Sequence, residues 1–166
     1  MRMRTTVNVQ MCLVLACLAA FSLIAVRTAG TPADADVAIV LNPDNPVNNL
    51  TLAELRQIYL GERQYWRASS PVVVLMRSRG SREREVILRV VFQMTEQRYT
   101  QYWVAKVMRA EASDPPASLF SYGMVQEGVR GNPGAIGYVY VNDVRSGVKV
   151  VRIGGLLPGE PGYPLR

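Results

Sequence analysis

The chain has 166 residues, with 19 Lys and Arg against 13 Asp and Glu and no histidine. Three of the basic residues (Arg2, Arg4, Arg27) and none of the acidic ones precede Thr31, so the rest of the chain carries 16 positive against 13 negative groups, or +3. That excess is too mild for the dense basic face of a nucleic-acid reader, and without histidine the commonest acid–base and metal-binding side chain is missing.

The first thirty residues read MRMRTTVNVQMCLVLACLAAFSLIAVRTAG, with arginines ahead of an apolar run from Met11 to Val26 and small residues after it. This is the layout of a secretory signal spanning 1–30. Cleavage fits after Gly30 or, through the small pair Ala33 and Ala35, as late as residue 35. The protein is therefore expected to be exported or periplasmic, touching the membrane only through this segment. Cys12 and Cys17 both lie inside it. The remaining domain would have neither a disulfide nor a cysteine-ligated metal site, so no cofactor or metal is expected and its core must hold it together.

From Asp36 the chain alternates strand-like and helix-like stretches. Asp36–Asn42 is a short apolar run rich in β-formers and bounded by prolines, a buried strand. Thr51 with Glu54 three residues later forms a capping box, and Leu50 and Leu55 form a hydrophobic staple. Gly61 stands just past the end of the same pattern, so a helix is predicted between them. Pro71–Met76 has no polar alternation and predicts a strand covered on both faces. From Ser81 the apolar positions Val86, Ile87, Val90, Val91 and Met94 recur at helical spacing. A break near Thr95 starts a second helix with an aromatic stripe of Tyr99, Tyr102 and Trp103 that reads as core packing. EASDPPAS is a loop, SLFSYGMVQEGVRG a helix weakened by glycines, and AIGYVYV and GVKVVRI are strands. The Pro- and Gly-rich tail 154–166 has no periodicity and is expected to be flexible. The alternation gives a single α/β domain over 36–153.

One junction carries chemistry. In VVVLMRSRGSREREVI, a strand ends at Arg77 and a Gly-Ser pair opens a helix. The backbone N–H groups of a helix start and its dipole converge there, Gly80 allows close approach, and Ser81 can cap the helix or donate to an oxyanion. Arg77 adds a guanidinium. The same pattern also describes an ordinary charged turn, and the residues alone do not choose between the two.

Three stretches in order resemble the phosphate-binding proteins of ABC transporters, which have the type 2 periplasmic binding fold. LTLAELRQIYLGERQYW is similar to that family's helix-and-turn motif at Leu55, Ile58, Tyr59, Gly61 and Trp66. MRSRGSRERE resembles its phosphate loop, and NPGAIGYV is close to its conserved strand at Gly134, Ala135, Ile136, Gly137 and Tyr138. The resemblance implies one lobe of that fold: a three-layer mixed sheet with helices on both faces. It also implies a phosphate or similar oxyanion held weakly by Arg77, Gly80, Ser81, Arg82 and Glu83, with no enzymatic activity. Departures from the family loop stand at Arg79, Arg82 and Glu83, and a carboxylate at Glu83 repels an anion. The sequence therefore supports a second function class as well, a degenerate lobe without solute that serves as a protein-interaction or assembly module in the cell envelope. For the oxyanion reading, a second copy in a homodimer or an envelope protein would supply the wall that a single lobe lacks. No nucleic acid is expected as a partner.

Overall fold

A computed structural model describes residues 35–66 and 70–166. The signal segment, both cysteines and Ala33 lie outside the described residues. β1 (Val37–Leu41) is followed by β2 (Asn49–Leu50), α1 (Leu52–Tyr59), β3 (Val73–Arg77) and α2 (Arg82–Val86). α2 runs on into a π-helical segment, Ile87–Phe92, and then come α3 (Glu96–Met108), β4 (Ala117–Leu119) and α4 (Tyr122–Gly131). β5 (Ala135–Tyr140), β6 (Lys149–Val150) and β7 (Arg152–Ile153) complete the order.

Five strands form one sheet in the order β4-β3-β5-β1-β6, while β2 and β7 pair separately. β3 is parallel to β4 and β5, and β1 is antiparallel to β5 and β6, so the sheet is mixed as expected. Alternation along the central strands explains the layers. Val37, Ile39 and Leu41 of β1, with Ile136 and Tyr138 of β5, join Leu55, Ile58, Phe92, Tyr99 and Trp103 in the main core. Val40 and Val139 face the other way and pack with Val125 and Val129 of α4. Side chains of a strand point alternately to its two faces, so both central strands are apolar throughout and helices cover both sides. Gly137 permits the close approach of α4, because a β-carbon there would lie 2.4 Å from Val125 Cγ1.

The capping box at α1 is formed: Thr51 Oγ1 accepts from the Glu54 N–H, and the Thr51 N–H donates to Glu54 Oε2 at 2.9 Å. At the other end of α1 the buried Lys106 ammonium donates to the carbonyls of Leu60, at 2.8 Å, and Gly61. A cation at a helix C-terminus satisfies the last carbonyls and the dipole together.

Three expectations are corrected. The helix after Ser81 is not regular: it widens at Ile87 and ends at Gln93 in left-handed backbone (φ 54°). The wide turn shifts the buried set to Ile87, Leu88, Val91 and Phe92, leaving Val90 and Met94 half-buried. The strand from Pro71 is covered only in its second half, since Val72, Val73 and Val74 are half-exposed, Val72 and Val74 beside a groove. The C-terminal tail is packed. Tyr163 and Leu165 are buried, the Val37 N–H donates to the Leu165 carbonyl, and Tyr163 Oη donates to the Val37 carbonyl at 2.8 Å. Two apolar side chains spaced by a proline suffice to anchor it along the edge of β1, which no helical or strand period would reveal.

Candidate anion cradle

The chain leaves the sheet at Arg77, turns through Ser78–Gly80 and enters α2 at Arg82. Gly80 adopts φ +79°, which costs a side-chain-bearing residue strain, and its α-carbon faces open space. Ser81 sits at the N-cap position in extended backbone, but its side chain makes no capping bond. Its hydroxyl is buried and has no hydrogen-bond partner among the described residues.

Arg77 is buried and turns inward. Nε lies 3.4 Å from Glu83 Oε1, and Nη1 donates to the Leu119 carbonyl at 3.1 Å. The side chains of this pair are only 11% and 7% exposed, so solvent screens the charges little. The Glu83 carboxylate is therefore a built-in oxyanion facing the guanidinium at the place where a bound anion was expected. This departs from the expectation that Glu83 lines a seat for solute. The backbone of Arg77 is held as well. Its N–H donates to Tyr138 Oη at 3.0 Å, and its carbonyl accepts from Arg84 Nη1 at 2.8 Å. Burial pushes the Tyr138 phenol well above its ordinary value, while the Arg77 N–H and the Arg84 charge oppose the shift.

The sequence expectations thus divide. Arg77 and Glu83 are brought together, Ser81 keeps a buried hydroxyl that contacts neither by hydrogen bond, Gly80 provides the open turn, and Arg82 is exposed. Arg79 swings away to Glu96, at 3.2 Å, and to Thr100 Oγ1.

Another buried cation at this corner escaped the sequence reading. Arg84 makes a two-pronged contact with Glu96, both distances 2.8 Å, and its guanidinium lies 4.9 Å from the Tyr99 ring centroid. It ties the loop end of β3 to α2 and to the first turn of α3. The only signal for it was an arginine on the face of α2 that runs into the apolar stripe. Nothing in the spacing paired it with a carboxylate twelve residues on.

The other two stretches singled out in the sequence meet at the opposite end of β3 from Arg77. Trp66 Nε1 donates to the Gly134 carbonyl at 2.8 Å, and the Val73 N–H donates to the same carbonyl. The turn after α1, the start of β3 and the start of β5 are therefore fastened at one point. Among the described residues no group of three or more His, Cys, Asp or Glu side chains is placed to hold a metal ion.

A family model described as a PBP superfamily domain matches residues 33–159. Among solved structures, a phosphate ABC transporter substrate-binding protein with bound phosphate from Clostridium perfringens is 25% identical, with a TM-score of 0.61 over 75% of this chain and 47% of that one. An ABC-type phosphate transport receptor from Vibrio cholerae is 22% identical, with a TM-score of 0.60 over 75% of this chain and 48% of that one. PstS from Borrelia burgdorferi is 17% identical, with a TM-score of 0.62 over 79% of this chain and 54% of that one. The chain spans about half the length of these structures.

Proposed function

Because the chain belongs to the PBP superfamily domain family, we propose that it is an exported, non-enzymatic binding domain whose anion seat is filled by its own Glu83, and that it works by docking to protein in the cell envelope. The observation that carries this reading is the buried Arg77–Glu83 pair. The resemblance of this loop to a phosphate loop implies an arginine matched to a bound oxyanion, and here an internal carboxylate does the same electrostatic work without a ligand. An incoming phosphate must displace it and meets its repulsion first. The net charge that remains is small, so steering does little to compensate.

A second reading keeps the solute. It is favoured by the likeness to the Clostridium perfringens structure with bound phosphate and by the buried, unpartnered Ser81 hydroxyl. In it, phosphate exchanges with the Glu83 carboxylate and takes the Ser81 hydroxyl as an added donor.

Thermal unfolding with and without inorganic phosphate and sulfate separates the two. At a ligand concentration about a hundred times Kd, a native-state ligand adds roughly 2.7 kcal/mol, a readily measured rise in Tm. The docking reading predicts no rise at millimolar anion beyond that given by chloride of equal ionic strength. A rise specific to phosphate that Arg77→Ala abolishes would establish the solute reading instead.

A further inference from the structure

We propose that the apolar cavity beside α3 is a binding site for a small molecule with an apolar body and a carboxylate head, and that the head pairs with Arg79. The inference goes beyond the reading of the cradle and stands on different residues, so the anion test above and the test below fail independently.

A cavity of about 310 Å³ opens where α3 meets the loop that leads to β4, and its walls are Trp103, Val104, Val107, Met108 and Pro115. Val104 is 53% exposed, Val107 38% and Met108 83%, so hydrocarbon faces solvent there. Water gains few hydrogen bonds from such walls, and an apolar body that replaces it takes their surface out of solvent. The volume is that of a small-ligand site. From Thr100 to Met108, both at its border, α3 rises about 12 Å at about 1.5 Å per residue, which suits one short acyl or aryl chain lying along the helix.

The head group follows from the charge at the rim. Arg79 is the single charged residue lining the cavity among the described residues. Its nearest anion is already taken: Glu96 receives two bonds of 2.8 Å from Arg84, and Arg79 Nε reaches the same carboxylate only as a second cation, at 3.2 Å. Two guanidinium groups thus share one carboxylate, and the cluster keeps one positive charge in excess. Arg84 is buried and its Nη1 is bonded to the Arg77 carbonyl, so the excess is presented at Arg79, whose side chain is 67% exposed. Thr100 Oγ1 accepts from Arg79 Nη2 at 2.9 Å and holds the guanidinium at the lip of the cavity. A carboxylate matches that planar fork, and an ammonium head would be repelled. A sugar would press unpaired hydroxyls against hydrocarbon.

Calorimetric titration of the full-length chain, as the cell processes it, with octanoate, octanol and octyltrimethylammonium tests the proposal. The expected result is a saturable heat for octanoate, binding about fivefold weaker for octanol, the upper scale of one exposed ion pair, and no saturable heat for the ammonium. Arg79→Gln should bring octanoate down to the affinity of octanol and leave octanol unchanged. Val104→Trp, which fills the cavity from an exposed position, should abolish binding of both with thermal unfolding of the free protein unchanged. No saturable heat at millimolar octanoate overturns the proposal. So does equal affinity for octanoate and octanol, binding that survives Val104→Trp, or competition by millimolar inorganic phosphate, which would put the acid in the cradle instead.

Discussion

Glu83 Oε1 lies 3.4 Å from Arg77 Nε, with both side chains nearly sealed from water, at the junction where β3 hands the chain to α2. Each charge is compensated mainly by the other. Removing one partner strands the second, a loss of about 3–5 kcal/mol for a buried pair, whereas replacing both by apolar groups is close to neutral. Arg77→Met is therefore expected to lower the stability in urea by about 3 kcal/mol, and Arg77→Met with Glu83→Leu to recover most of it. Equal and additive losses in a double-mutant cycle would mean that the two groups do not depend on each other.

Arg84 is held by geometry as much as by charge, through its two bonds to Glu96, its bond to the Arg77 carbonyl and its stacking on Tyr99. A lysine keeps the charge but offers neither the planar fork nor the stacking surface. Arg84→Lys should cost about 2 kcal/mol in the denaturant midpoint, with the loop between β3 and α2 becoming more exposed to amide exchange. A change indistinguishable from zero would reduce Arg84 to a point charge.

The packed tail makes a prediction opposite to that of a flexible one. Leu165 is fully buried, so Leu165→Ala should destabilise the domain by about 2–4 kcal/mol. A floating tail would give no measurable effect.

The buried phenols set the alkaline limit. Burial raises Tyr99 to about 12 and lifts Tyr59, Tyr138 and Tyr163 as well. The folded state thus keeps phenolic protons that the unfolded chain, titrating near 10, gives up. The stability from these groups is complete below pH 10 and is lost as pH rises from 10 towards 12 and beyond. The urea midpoint should be level from pH 7 to 9 and fall steeply above 10, with Tyr99 alone accounting for roughly 2–3 kcal/mol. A midpoint that holds to pH 11 would contradict the burial of these rings.

Much of this was legible in the chain. The capping box at Thr51 and Glu54, the Arg77–Gly80–Ser81 junction and the unbroken apolar runs of β1 and β5 are local patterns, and local patterns survive into the fold. What escaped was non-local or irregular. β4 is three residues long behind Pro115 and Pro116, too short for any period to register. The π-helical segment kept apolar residues inside while changing which ones. The inward turn of Glu83 depended on how far α2 is rotated against β3. A one-dimensional pattern places Glu83 in the first turn of a helix and says nothing of the rotation that aims it at Arg77.

The most direct measurement is a calorimetric titration of inorganic phosphate into the wild-type domain and into Glu83→Thr, which removes the internal carboxylate and supplies a hydroxyl in its place. A seat occupied from within predicts no heat of binding for the wild type at millimolar phosphate and a saturable heat for the variant that Arg77→Ala removes. Saturable binding by the wild type, unchanged or weakened in Glu83→Thr, would contradict it.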